Sequence, residues 1–328
     1  MKRTAKLLSL ALALLLAVSA LAGCTSQTQE AAAMNVAALN GPTGIGMVKL
    51  MKDSETTEYP AFDPTFTLAA SPDELASALL SGDADIAALP TNLAATLYQR
   101  SEGGVKLLAL NTLGVLYVLE KGDSIQSVAD LAGRTVYATG AASLPEYVVD
   151  YILTENGLAE SVTVEYLAQH AELAAMAVAG DVDVCILPEP FVTQVTAQNP
   201  EMRVALSITD EWNALTDGAQ LSMGCLVVRT EYYEAHSEAV KDCLAAYANS
   251  AEYAVTEVEE TAKLVVEYGI MASESLAAAA IPRCNIVCLT GEDMKAGAQA
   301  LYEVLYAANP SSVGGELPPD GLYLTDLG

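Results

Sequence analysis

Apolar residues in this chain come as short runs of four to eight positions, separated by helical spacings and by turns that carry Gly, Pro, Asp or Asn. Residues 34–39 (MNVAAL) predict a strand that enters a glycine-bearing turn at 40–46 and a helix over 47–51. Residues 65–69 predict a second strand. Ser71-Pro72-Asp73-Glu74 then has the makeup of a helix start: a capping hydroxyl, Pro at the first helical position and acids in the first turn. That helix is expected to stop at Ser81-Gly82, and 85–89 to form a buried strand with a helix opening at Pro90-Thr91-Asn92. Further strands are predicted at 105–110 and 113–119. The alternation then restarts, with a helical turn at 127–133, strands at 135–138, 162–166 and 182–187, and helices between them. From 221–228, a strand, everything up to residue 306 reads as helical, and the turn-rich tail at 309–323 reads as a strap.

The restart is visible in the residues themselves. Residues 80–92 read LSGDADIAALPTN and residues 178–190 read VAGDVDVCILPEP. Gly82, Asp83, Asp85, Leu89 and Pro90 match Gly180, Asp181, Asp183, Leu187 and Pro188, and the preceding helices share Glu-Leu-Ala. One structural unit is used twice. Its glycine ends a helix in a left-handed conformation, its aspartates turn the chain, and its proline starts the next helix at the strand's carboxyl end. Strands alternating with helices predict parallel α/β sheets, one per repeat. The expected division is a lobe 1 made of 34–119 and 223–328 and a lobe 2 made of 120–222, with crossings near 119–121 and 220–223.

The first residues change the picture of where the chain resides. Lys2, Arg3 and Lys6 precede an apolar stretch at 7–21 of signal-peptide length. It ends in Leu21-Ala22-Gly23-Cys24, which resembles a bacterial lipobox. Residues 1–23 are thus expected to be a removed leader, Cys24 a lipidated first residue and 24–33 a disordered tether. Net charge is −27, from 15 basic and 42 acidic residues. Such a chain is repelled by nucleic acid and anionic headgroups, which leaves the lipid anchor as its membrane contact.

Chemistry-bearing residues are sparse. Cysteines remain at 185, 225, 243, 284 and 288. Cys185 and Cys225 lie in apolar runs and read as buried. Cys284 and Cys288 have a spacing open to a disulfide, and no histidine stands near enough to suggest a metal site. His170 and His236 read as solvated. There is no nucleophile–histidine–acid order and no phosphate loop, so no enzyme activity, cofactor or metal is expected.

A lipobox, two α/β units with paired crossings and GDADIAALPTN resemble the solute-binding lipoproteins of ABC importers, in the NMT1/THI5-like and sulfonate/nitrate-binding branch. SVADLAGRTVYATGAASLPEYVVDYILTENGL (127–158), NGPTGIGMVKLM (40–51) and SSVGGELPPDGLY (311–323) are similar to that branch. The resemblance implies a type II periplasmic-binding fold, closure of two lobes around one small molecule, a monomer, and delivery to a membrane permease with its ATPase. Two alternatives are an enzyme like the yeast pyrimidine synthases of that family, whose cysteine-rich stretch is lacking here, and a sensor lipoprotein without a transporter.

Ligands of open α/β sheets sit beyond the carboxyl ends of the strands. The candidate binding residues there are Thr43 and Gly44 in the first turn, Thr91 and Asn92 in the first repeat, and Asn111 and Thr112 at the mouth. Ser143 and Glu189 stand at the matching points of lobe 2, and Gln220 and Met223 at the second crossing. The glycines of the first turn are expected to let a ligand approach the backbone. None of these loops carries a Lys or Arg, so a neutral, zwitterionic or amine-bearing molecule, such as a heterocycle, is favoured over sulfonate or nitrate. Replacing Cys24 by Ser should abolish labelling by radioactive palmitate and release the protein from membranes; undiminished labelling would disprove the lipobox.

Overall fold

The computed structural model describes residues 31–216 and 218–326. The leader, Cys24 and most of the tether lie outside the described residues. The chain begins with β1 (Ala32–Leu39), α1 (Pro42–Ile45), α2 (Val48–Ser54), β2 (Phe62–Ala69), α3 (Pro72–Ser81), β3 (Ile86–Pro90), α4 (Thr91–Arg100) and β4 (Val105–Leu113). It crosses to β5 (Leu116–Lys121), β6 (Thr135–Thr139), α5 (Leu144–Glu155), β7 (Thr163–Leu167), α6 (His170–Ala179), β8 (Val184–Pro188), α7 (Phe191–Gln198), β9 (Met202–Ser207) and α8 (Ile208–Leu215). It returns through β10 (Ser222–Arg229), α9 (Thr230–Ala235), α10 (Ser237–Thr256), α11 (Val258–Glu267), α12 (Glu274–Ala280), β11 (Ile286–Leu289) and α13 (Gly291–Ala308).

These strands make two sheets of one design. Read from one edge, the first runs β2-β1-β3-β10-β4 with β11 added, and the second runs β7-β6-β8-β5-β9. In each, three parallel strands come first and an antiparallel strand delivered by a crossing follows. The repeat seen in the sequence is therefore a repeat of topology, as in a type II periplasmic-binding fold.

The repeat's glycines act as expected, but its prolines differ: Pro90 directly precedes the helix at Thr91, whereas Pro188 ends β8 and the next helix starts only at Phe191. Ser71 Oγ accepts from the Glu74 N–H and caps α3, which ends at Gly82 with φ 83°. Helix α6 ends at Gly180 with φ 81°. Leu89 and Leu187, at matching positions of β3 and β8, are both fully buried, and each contributes about 1.5–3 kcal/mol of burial free energy. The first repeat's Asp85 holds the far end of its sheet: Oδ1 takes an Arg229 guanidinium hydrogen bond of 2.8 Å and Oδ2 accepts from the Asn35 N–H at 2.8 Å.

The apolar core has three layers. One lies between the first sheet and α2, α10, α11 and α12. Another lies between the second sheet and α6 and α7. The third covers the inner faces of both sheets and runs unbroken between them through Leu110, Leu116, Ile208, Trp212 and Leu221. The lobes also meet directly, with α12 packed on α7 and with α4 and α13 packed on α5.

Three expectations are corrected. The first crossing lies at Gly114-Val115, not near 119–121, because β5 pairs with β8 and β9 and so belongs to the second sheet. Lobe 1 therefore ends its first part before 119. The stretch up to 306 is not wholly helical: β11 pairs antiparallel with β4, Ile286 opposite Thr112. The tether is shorter than 24–33, since β1 already starts at Ala32. β9 and α8 complete lobe 2 where the sequence pattern gave no element. The tail is a strap as expected, with the Leu324 N–H donating to Leu107 O at 3.0 Å beside β4.

If the two turns are equivalent, Gly82→Ala and Gly180→Ala should each lower stability by a similar amount, about 1–2 kcal/mol, from the left-handed penalty alone. Urea unfolding of the two variants measures this, and a large loss in only one would deny the equivalence.

Candidate functional site

Sheet polarity decides which residues lie at the edges where the chain crosses between the two sheets. The carboxyl ends of β1, β3 and β4 and the amino end of β10 lie together at one edge of the first sheet, since Gly224 pairs with Pro90 and Ser222 with Leu113. In the second sheet the carboxyl ends of β6, β7 and β8 and the amino end of β5 do the same, with Leu116 opposite Pro188. The crossing Gly114-Val115 joins these two edges, and the Glu189 N–H donates to Val115 O at 3.0 Å. Glu189 is thereby fixed at the seam of the lobes.

Gly224 lies at the centre of the lobe 1 edge. A Cβ on it would stand 2.6 Å from Asn111 Oδ1, 2.9 Å from Thr43 Cγ2 and 3.2 Å from Thr112 Cβ. Thr91 and Asn92 follow Pro90, the register partner of Gly224. Thr91, Asn92, Asn111, Thr112 and Ser222 are all buried. Within that cluster, Thr91 Oγ1, Asn92 Oδ1, both amide atoms of Asn111, Thr112 Oγ1 and Ser222 Oγ have no hydrogen-bond partner. The Tyr247 hydroxyl and the Asn111 amide, and the Cys225 thiol and Thr91, approach as weak side-chain hydrogen-bond partners whose geometry falls short of a well-formed bond. Buried polar atoms are nearly always paired, so six unpaired ones at one sheet edge demand an explanation.

In lobe 2, Glu189 is fully buried at the start of α7. Its Oε2 accepts from the Thr193 N–H at 3.0 Å. Its Oε1 lies 3.0 Å from Arg283 Nε but off the N–H axis, so the contact is an ion pair and not a hydrogen bond. Burial pushes the Glu189 carboxyl above its ordinary 4.5, against the opposing pull of the Thr193 N–H and the Arg283 charge.

Residues 54–278 match the family model for the periplasmic substrate-binding proteins of phosphonate ABC transporters. The chain belongs to this family. It is the solute-binding component of an ABC importer, acting outside the cytoplasm on a small molecule. Solved structures share the fold of this receptor. An ABC transporter protein from Parabacteroides distasonis is 24% identical, with TM-score 0.74, over 89% of this chain and 98% of its own. The alkanesulfonate-binding protein SsuA of Xanthomonas axonopodis pv. citri, bound to MOPS, is 17% identical with TM-score 0.66, over 89% and 96%. The nitrate-binding protein NrtA of Synechocystis PCC 6803 is 14% identical with TM-score 0.54, over 72% and 66%. Comparison with curated proteins gives no match.

The receptor does not use every expected residue as expected. Thr43 donates its hydroxyl to Leu39 O at 3.0 Å, and Ser143 donates to Gly140 O at 2.8 Å, so both donors are spent on their own turns. Gly44 serves packing: a Cβ there would be 2.9 Å from Leu39 O and 3.2 Å from Leu68. Asn92 gives one amide N–H to Ser312 O at 3.0 Å in the strap, and its Oδ1 is without a partner. Gln220 leans on Gly297 of α13, and Met223 packs into the shared apolar layer, whereas their neighbour Ser222 carries the unpaired hydroxyl.

Two residues were missed. Arg283 reaches the site from the turn Ile281–Arg283, so the edge does hold a basic side chain, contrary to expectation. His170 is half-buried rather than solvated: Nδ1 meets Thr139 Oγ1 at 2.5 Å and the ring tilts against Phe191. All five described cysteines are unpaired, Cys284 and Cys288 included. Among the described residues no group of three or more His, Cys, Asp or Glu comes together as a metal site.

A carboxyl whose folded pKa is raised gives its full stabilising contribution below the unfolded value and loses it as pH rises through the folded value. Glu189→Gln lacks that titration. Its melting temperature relative to wild type should shift in the variant's favour as pH rises from about 4 towards 7. A difference that stays constant with pH would show that Glu189 titrates at its ordinary value.

Proposed function

We propose that this receptor captures one small molecule where the two strand edges face each other, by closing its lobes over it. Thr91, Asn92, Asn111, Thr112 and Ser222 contact the solute from lobe 1, and Glu189 from lobe 2. Thr43, Gly44, Ser143, Gln220 and Met223 shape the walls and crossings around these six. Lobe 1 comprises roughly 34–114 and 222–326, and lobe 2 the segment between. Lipid on Cys24 holds the protein at the outer face of the cell membrane, where it delivers the solute to a permease driven by an ATPase.

The observation that carries this reading is the cluster of buried, unpaired, uncharged polar atoms at the ends of β3, β4 and β10. A ligand with matching donors and acceptors satisfies them, and the low local dielectric strengthens each such contact. The cluster holds hydroxyls and amides and no cation. It therefore supports a neutral, zwitterionic or amine-bearing solute, a heterocycle among them, more than a sulfonate or nitrate.

Binding and stability should separate at this site. Asn111 buries an amide with no partner, so Asn111→Leu should raise the stability of the ligand-free protein by about 1–2 kcal/mol. The same change should remove the small molecule that co-purifies with the wild type, as read by mass spectrometry of the denatured receptor. A variant that is destabilised yet keeps its solute would overturn the assignment.

A further inference from the structure

Arg283 is a basic side chain in the turn Ile281–Arg283 that leads into β11. It comes from lobe 1 and makes both of its recorded contacts in lobe 2. Its Nε is 3.0 Å from Glu189 Oε1, and its guanidinium lies 4.7 Å from the centre of the Tyr117 ring on β5. The backbone behind it is anchored at the crossing: Asn285, with φ 45°, accepts from the Leu113 N–H at 3.0 Å and donates its side-chain amide to Gly114 O. Arg283 is thus held over Glu189 by the same strand that joins the lobes.

The pair is unequal. The Glu189 side chain is 0% exposed and that of Arg283 is 37% exposed. Freed from its partner, Arg283 still reaches water, while Glu189 does not. A ligand cation or N–H donor that takes the place of Arg283 leaves no buried charge alone. A simple oxyanion has no such route. If it draws Arg283 away, it strands a buried carboxylate, the expensive way to break an ion pair. If it binds the outer nitrogens of Arg283 instead, it sits within a guanidinium's width of that carboxylate, and like charges repel strongly where water is excluded.

We infer that Arg283 and Glu189 form a charge filter that determines specificity: the receptor rejects bare oxyanions and accepts solutes that bring their own ammonium or N–H donor to Glu189. This rests on the reading of the gap as the solute site, and adds to it the residues that select the solute. It sets this chain apart from the anions named for its family and for its structural neighbours.

The test titrates nitrate, ethanesulfonate and ethylphosphonate into wild type, Glu189→Gln, Arg283→Gln and the double variant, by calorimetry. Glu189→Gln keeps an acceptor for the Thr193 N–H and removes only the charge. It should gain affinity for ethylphosphonate or ethanesulfonate by at least about tenfold over wild type. Arg283→Gln should show no gain, and the double variant should lose the gain again. No gain in Glu189→Gln, or a gain that survives in the double variant, overturns the filter. Should Glu189→Gln not fold, the wild type alone decides: binding of any of the three anions tighter than about 100 μM overturns the filter, and weaker binding upholds it. Loss of the co-purified solute in Asn111→Leu, together with no anion gain in Glu189→Gln, sinks the filter alone. Retention of that solute in Asn111→Leu sinks the underlying site.

Discussion

Everything about the gap follows from one constraint on chain path: each crossing delivers a strand antiparallel into the middle of the sheet it enters. β5 runs beside β8, and β10 beside β3. An antiparallel strand starts where its parallel neighbour ends. The entry point of every crossing is therefore at the carboxyl edge of a sheet, and the two carboxyl edges are tied to each other by a two-residue link, Gly114-Val115. That link tolerates no bulk, for a Cβ on Gly114 would fall 1.9 Å from Thr209 Oγ1. Turns, helix starts and unpaired polar atoms accumulate at these edges because strands and helices have their loose ends there.

The continuous apolar layer through the crossings bears on how the lobes relate. It joins the inner faces of both sheets near the hinge, while the facing edges are polar. Burial thus holds the two sheets together around the crossing, and the polar contacts of Arg283 with Glu189 and Tyr117 lie beside the same crossing. An exposed partner weakens an ion pair, since water competes for it.

Much of this was legible in the sequence where local pattern and global fold agree. The duplicated Gly-Asp-x-Asp turns, Ser71 before Pro72, and the apolar runs of β3 and β8 each specify one conformation, and their repetition reveals the topology. Strand polarity in the sequence puts Thr91, Asn92, Asn111, Thr112 and Glu189 at strand ends, and the structure has all five buried there. What failed was tertiary. β11 is a four-residue strand between alanine-rich helices, and only its β-branched start and the left-handed Asn285 before it marked it. Gly114 signalled the crossing but was read as part of an apolar run. Arg283 belongs to no motif and reaches Glu189 only because β11 sets its register against Thr112. Ser143 and Thr43 have the right chemistry, but nothing in a sequence tells which oxygen a hydroxyl will choose.

The strap has a further consequence, for the order of assembly. Lobe 2 is one unbroken stretch of chain. Lobe 1 is not: its β4 is covered by Leu324, and the amide of Asn92 is held by Ser312. Asn92 and Leu107 thus have partners more than two hundred positions downstream, and loops that long close slowly.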